Sequence, residues 1–256
     1  MSDSYNKSRF GSYHPVAELS PYAIANSDRL NNTKFVFRFI LDKVEELRPG
    51  ATNVSWTDVG CANGEFLFYL SNQKLEWNFT GIDVNERFLK VAASTLEGRK
   101  NIELVNADIL TLSKPQQSEV VSCTGTFQIF PDPTEILNKL LDLVKPGGLL
   151  LIDGCFNKYD ISMAINYLDE SKDEASDLWR CDFNHHSEKM IRRILDDRQD
   201  ISTASFFYPV MDTEIVKKID APHINMWTEP RAEGGYNILN GMGLFFNPRF
   251  LIIEKL

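Results

Sequence analysis

Residues 57–66 read TDVGCANGEF, with Gly60 and Gly64 four apart, Asp58 before them and Glu65 after. Glycines at that spacing leave a backbone that a ligand can approach closely. The flanking carboxylates repel phosphate and attract positive charge. A dinucleotide fingerprint needs G-x-G-x-x-G, but Ala62 and Glu65 stand where its second and third glycines would be. A nicotinamide or flavin cofactor is thus disfavoured, and a nucleoside-bearing cation suits the loop. Taken alone, the loop is equally compatible with a plain strand-to-helix turn. Asp83 closes the run TGIDV and Asp108 closes NADI. An acid at a strand end can accept both hydroxyls of a ribose, and Asp108 is placed to accept from an adenine amino group.

A second group of residues could move a proton. Asp153, Asn157 and Tyr159 follow the run LLLI, and His185 and His186 stand in CDFNHHSEKMI just before a helical pattern. A neutral histidine there suits general-base work, with turnover rising near its unperturbed pKa of about 6.5. Asp153 is the alternative base, or a structural strand-end acid. Asp182, His185 and His186 lack the spacing of a metal site, so no metal is expected.

These residues need a scaffold that brings strand ends together. Between residues 54 and 155, apolar strand-like runs alternate with helical patterns: strands at 54–60, 77–84, 101–109, 119–127 and 149–156, and helices at 65–73, 85–98 and 132–148. Asn85 caps the second of these helices. Asp132, Pro133 and Gly147-Gly148 mark the start and stop of the third. Such alternation predicts an α/β fold, an open, mostly parallel sheet with helices on both faces. A helix over 32–47 covers one face or end. Beyond residue 156 the pattern predicts a helix over 186–197 capped by Ser187, and strands at 203–209 and 250–256. The last of these joins the sheet antiparallel. Ligands of such sheets bind at the carboxyl ends of the strands, where strand order reverses, and Gly60 falls there.

The 256 residues carry a formal charge of −9, which does not favour bulk attraction to nucleic acid. No apolar run is long enough to span a membrane. The polar N-terminus lacks a signal-peptide core. Cys61, Cys123, Cys155 and Cys181 are far apart and read as reduced thiols of a cytoplasmic protein.

The segments WTDVGCANGEF, TGIDVN, NIELVNADI, VVSCTGTFQIFPDPTEIL and LVKPGGLLLID occur in that order. In them the chain resembles class I S-adenosylmethionine-dependent methyltransferases over residues 54–155. The terminal FLIIEKL resembles the reversed seventh strand of that fold, and Ala62 departs from the third glycine of many members. The resemblance implies a transferase with a Rossmann-like seven-stranded sheet and S-adenosylmethionine as cofactor. It implies that Gly60 and Gly64 flank the methionine moiety and Asp83 holds the ribose. Val84 would lie against the adenine, Asp108 and the Ile109 amide would bind its edge, and Thr124 would face the amino-acid end. Asp58 suits the cation. Residues 1–50 would form a helical cap or lid, with Tyr13, His14 and Tyr22 in it. Residues 51–156 would be the cofactor-binding core and 157–256 the acceptor side of one methyltransferase domain. The absent N-P-P-Y signature tells against base or glutamine amino groups as acceptors. The C-terminal third resembles methyltransferases of bacterial surface-polysaccharide biosynthesis. The expected reaction is O-methylation of a sugar, a nucleotide-sugar or another small-molecule hydroxyl. The alternatives are a nucleic-acid or protein methyltransferase and a catalytically silent partner subunit.

Overall fold

A computed structural model describes residues 30–31, 33–113, 116–167, 180–181, 183–215, 226–240 and 245–256. Tyr13, His14, Tyr22 and Asp182 lie outside the described residues. The elements in chain order are α1 (Phe35–Leu47), β1 (Ser55–Val59), α2 (Glu65–Gln73), β2 (Asn78–Asp83), α3 (Glu86–Thr95), β3 (Ile102–Asn106), β4 (Ser118–Thr124), α4 (Thr134–Asp142) and β5 (Val144–Asp153). The short strands β6 (Phe156–Asn157), β7 (Asn166–Tyr167), β8 (Arg180–Cys181) and β9 (His186–Ser187) follow, then α5 (Glu188–Asp196) and β10 (Ile201–Phe207). The chain continues through β11 (Met226–Pro230), β12 (Tyr236–Asn240), β13 (Phe245–Phe246) and β14 (Phe250–Lys255).

Seven strands form one sheet in the order β10-β14-β5-β4-β1-β2-β3. β5, β4, β1, β2 and β3 are parallel, and β14 runs antiparallel to both β5 and β10. Strand order reverses between β1 and β4, which opens a crevice above their carboxyl ends.

Alternate residues of each central strand enter two separate cores, as a period of two requires. Val120, Leu149, Leu151 and Ile252 pack with Ile40 and Val44 of α1, Leu67 and Leu70 of α2, and Leu89 of α3. Val121, Leu150, Ile152 and Ile253 pack on the other face with Ile136 and Leu140 of α4 and Ile191 of α5. Helices therefore cover both faces, which clamps the sheet and holds the strand ends in place. Among the described residues no helix is long and apolar enough to cross a membrane.

The caps form as the residue types dictate. Asn85 accepts from the amides of Arg87 and Phe88, and Ser187 accepts from that of Met190. α4 departs from this: its N-cap is Pro133, with no side-chain cap bond, and Asp132 one residue earlier accepts from Thr134 N at 2.9 Å.

Several boundaries differ from the sequence reading. β3 stops at Asn106, because Asp108 turns the chain by accepting from Leu110 N at 2.9 Å. β4 stops at Thr124, because Gly125 takes φ +67° and a 3-10 turn follows at Phe127–Ile129. The glycine pair does not end α4, which closes at Asp142. It lies inside β5, where the β4–β5 register shifts between Ser118 and Val120 and Gly147 takes φ +72°. A Cβ on Gly148 would come within 2.7 Å of Glu119 O, so the bulge needs glycine there. β5 ends at Asp153, and Phe156 belongs to the separate pair β6–β9. The antiparallel sheet β11-β12-β13 was not foreseen.

Candidate active site

The glycine loop lies between β1 and α2 at the reversal of strand order. Gly60 and Cys61 donate to Ile82 O at 2.8 and 3.1 Å, which seats the loop against the end of β2. Gly60 takes φ +77° and Gly64 φ +75°, the left-handed region that glycine enters without strain. A Cβ on Gly60 would overlap the Thr126 side chain from the β4 end. The loop has no room for a side chain at that point. Ala62 also adopts positive φ, at +46°, so alanine preserves the backbone path that a third glycine would take.

Asp83 is the hub of the loop. Its Oδ2 accepts from Ala62 N at 2.9 Å and its Oδ1 from Asn85 N at 2.8 Å. Each carboxylate oxygen keeps a lone pair for a further donor. Burial raises its pKa, against the lowering by the amides of Asn85, Ala62 and Val84. Val84 follows it directly and is 40% exposed, an apolar surface beside the carboxylate. Asn106 Nδ2 steadies this turn by donating to Asp83 O and Val84 O. Asp108 and Ile109 lie past β3, with the Ile109 side chain in the core.

Asp58 is 1% exposed, deeper than a residue in direct contact with ligand would need to be. Its Oδ1 accepts from Ser122 Oγ at 2.7 Å, and that hydroxyl accepts from Trp56 Nε1 at 2.8 Å. Burial pushes its carboxyl up to about 7; the Ser122 bond opposes this and the nearby Asp83 charge adds to it. Thr124 pairs in register with Asp153 across β4–β5, which places both at the crevice edge. Burial also pushes Asp153 up to about 7, and the Lys34 ammonium opposes it. Lys34, at the start of α1, pairs with Glu65 at 2.7 Å. The start of α1 therefore lies near the crevice.

Both histidines of the expected general-base pair are buried. His186 is 1% exposed, edge-on to Phe127 at 5.4 Å, and its backbone pairs with Phe156. Burial drives its pKa down to about 4, against the hydrogen bond of its ring to the Phe130 backbone. It is thus neutral throughout the ordinary pH range, and its turnover limb moves well below 6.5. Nε2 is buried and has no partner among the described residues. His185 is 8% exposed, and burial lowers its pKa, with Arg249 adding to the effect. Tyr159 is 64% exposed, and its amide donates to Asn157 Oδ1. Cys61, Cys123 and Cys155 are buried free thiols, all raised by burial. Among the described residues no group of three His, Cys, Asp or Glu side chains could hold a metal.

The structure brings Asp58, Gly60, Gly64, Asp83, Val84, Thr124 and Asp153 to one crevice. Sequence reading passed over Lys34, Asn63 and Thr126. Asn63 was open to notice as the polar side chain between Ala62 and Gly64. Thr126 and Lys34 gave no sequence signal, because only folding carries them to the loop.

The donor set fits S-adenosylmethionine. Asp83 sits at the end of β2 with acceptor capacity left for a ribose, while Asp58 lies beneath the loop, held by Ser122. A family model described as a methyltransferase domain matches residues 57–150. The ubiquinone biosynthesis O-methyltransferase of Colwellia psychrerythraea is 29% identical over 145 residues, 55% of this chain and 54% of the relative. The tRNA (guanine-N(7)-)-methyltransferase of Prochlorococcus marinus is 31% identical over 112 residues, 37% of this chain and 54% of the relative. The chain thus spans about half the length of these curated relatives. The crystal structure of TehB from Haemophilus influenzae shares the fold with a TM-score of 0.53 at 16% identity, over 88% of this chain and 64% of that one. Over residues 57–150 the chain is thus similar to methyltransferase domains.

Proposed function

We propose that the chain transfers a methyl group from S-adenosylmethionine to a hydroxyl of a small molecule, with a sugar or nucleotide-sugar as the favoured acceptor. One observation carries the cofactor assignment: the Asp83 carboxylate is pinned by two backbone amides, at 2.9 and 2.8 Å, at the end of β2, with acceptor capacity left on both oxygens. That geometry suits the two hydroxyls of a ribose. Val84 then lies against the adenine, Asp108 and the Ile109 amide take its edge, and Gly60, Gly64 and Thr124 border the methionine portion. Bound there, the cofactor supplies an electrophilic methyl on a sulfonium.

The chain's own task is to align the acceptor and remove its proton. With the cofactor bound, the chain would hold the acceptor oxygen in line with the electrophilic methyl, and the hydroxyl proton would pass to the base. Asp153 suits that role best. It ends β5 at the crevice, beside Thr124, and burial pushes its carboxyl up to about 7. A base is most effective when its pKa lies near the working pH. The His185–His186 pair is the second choice, because burial leaves His186 a weak base at about 4. The name of the Colwellia relative supports a hydroxyl acceptor. The Prochlorococcus relative's name offers tRNA instead, but the net charge of −9 tells against a nucleic-acid acceptor.

Calorimetry tests the cofactor assignment directly. S-adenosylhomocysteine should bind in the micromolar range, about −8 kcal/mol. Charge-assisted bonds contribute about 1.5–3 kcal/mol each, so Asp83→Ala should weaken binding by about tenfold or more. No binding to the folded wild type would refute the reading.

A further inference from the structure

The rim of the crevice beyond β5 carries an arginine whose charge the protein itself does not balance. Phe250 pairs in register with Asp153 on one side and Phe207 on the other, and Gly154 N donates to Arg249 O at 3.0 Å. Arg249 therefore stands just past the crevice end of β14, one step beyond Asp153 and level with Tyr208. Its half-buried guanidinium stacks on the Tyr208 ring at 5.4 Å, and Nη1 donates to Phe156 O. Among the described residues it makes no ion pair and no other hydrogen bond. Arg48 and Arg198, also half-buried, meet carboxylates at 3.6 and 2.7 Å. The groups around Arg249 do not supply the missing negative charge. Glu188 is engaged by Tyr208 Oη and by Arg192 at 3.7 Å. Burial holds the Cys155 thiol neutral, and burial and Arg249 together disfavour the charged form of His185.

Two contacts prepare this guanidinium for a ligand. The Tyr208 ring fixes its plane, and the Phe156 bond occupies Nη1, which leaves Nε and Nη2 as a parallel pair of donors. Such a pair matches two oxygens of a carboxylate or a phosphate. A side chain already held in place gives up less freedom on binding. We propose that Arg249 is an acceptor-recognition residue that binds a carboxylate or phosphate group of the methyl acceptor. The anion sits away from the reacting hydroxyl, because the cation that acts on Asp153 is Lys34 and not Arg249. The net charge of −9 gives no general attraction for an anionic molecule, so its recognition has to be local. This rests on the reading of the crevice as an acceptor site. It narrows the proposed sugars to acidic ones: uronates, sugar phosphates and nucleotide-sugars.

The test uses the full chain saturated with S-adenosylhomocysteine and three probes: glucose, glucuronate and glucose 6-phosphate. Affinities are read by NMR shift titration. Wild type should bind at least one anionic probe about tenfold or more tightly than glucose, as expected for hydrogen bonds to charged groups. A preference for glucuronate assigns a carboxylate, and one for glucose 6-phosphate a phosphate. Arg249→Gln can still donate to Phe156 O. It should erase the preference, while affinities for glucose and S-adenosylhomocysteine stay within about twofold, because no bond to either is lost. Arg249→Lys should keep part of the preference, since a point charge attracts an anion without the paired donors. Should Arg249→Gln fail to fold, Arg249→Lys is measured in its place and should show a weakened preference. Wild type that binds no probe, wild type without an anionic preference, or a preference unchanged in the variant would overturn the inference. In each of those cases S-adenosylhomocysteine binding leaves the cofactor reading standing. If wild type binds no S-adenosylhomocysteine, both fail.

Discussion

The two walls of the crevice are built by different means. On the cofactor wall, Asp58 and Asp83 stand at or next to the last residue of their strands, Gly60 and Val84 follow immediately, and Thr124 ends β4. Their placement follows from the sheet itself. On the acceptor wall, the side proposed to hold the acceptor, Phe156 pairs with His186, Met163 bridges His185, Asn184 Nδ2 donates to Gln128 O at 2.9 Å, and Arg249 donates to Phe156 O. These contacts join segments far apart in the chain through two-residue strands and single bonds. The titration behaviour divides the same way. The crevice acids Asp58 and Asp153 are raised to about 7 by burial, while His186 behind the acceptor wall is lowered to about 4 by the same cause acting on the opposite charge type. The family match covers residues 57–150 and stops before the acceptor wall. A parallel sheet can keep its strand ends constant while later segments vary, so one cofactor wall can serve many acceptors.

The sharpest way to break this comparison is to ask which wall supplies the base. Asp153→Asn should lower turnover by about 10²–10⁴-fold, while S-adenosylhomocysteine affinity stays within about threefold, because the bond to the acceptor is the one removed. The wild-type rate should rise with pH through about 7, the position of the Asp153 carboxyl. A rate limb near 4, flat above it, with the large loss in His186→Ala instead, would move the chemistry to the acceptor wall.

A smaller effect tests the rigidity of the cofactor wall. Gly60 has φ +77° and a Cβ there meets Thr126, whereas Gly50 has φ +71° and open space around it. Left-handed strain costs about 1–2 kcal/mol and overpacking about 1–3 kcal/mol more. Gly60→Ala should therefore weaken S-adenosylhomocysteine binding by about tenfold or more and lower the melting temperature. Gly50→Ala should lose only the stability and leave affinity unchanged. Equal ligand affinity in the two variants would show that the Gly60–Thr126 approach does not shape the site.

The smallest effect concerns Asp58 and is read in stability. Its folded pKa of about 7 lies above the unfolded value near 3.8. Its favourable contribution is complete below the unfolded value and is lost as pH rises through the folded one. Asp58→Asn should melt like wild type at pH near 4 and a few degrees higher at pH near 8, with ligand absent. Equal melting temperatures at the higher pH would mean that Asp58 is not held in a destabilising environment.

Residues 54–155 were legible because local signals and tertiary structure agree there. Asn85 caps α3 and the 65–73 pattern is α2 to the residue. The apolar runs became the parallel strands, and the terminal run became the antiparallel β14. Gly147-Gly148 misled as a helix stop because glycine's backbone freedom serves a bulge as well as a helix end, and only the β4–β5 register separates the two. The meander β11-β12-β13 escaped notice because its neighbouring runs carry polar residues such as Thr228, Glu229, Asn237 and Asn240 and show no continuous apolar pattern.

The sequence by itself determined where an open backbone, strand-end acids and their order along the chain would converge, since spacing within a βαβ unit admits few arrangements. It also placed Asp83 at the end of its own strand, where the proposed ribose site lies. Tertiary structure alone decided the ionisation of the crevice and its neighbours. Asp58, Asp153 and His186 depart from their ordinary pKa values through burial by segments from elsewhere in the chain. Tertiary structure also closed Thr126 onto Gly60 and left the Asn63 side chain buried with no hydrogen-bond partner among the described residues. Desolvation and close approach depend on the three-dimensional surroundings of a residue, and no spacing along the chain specifies those.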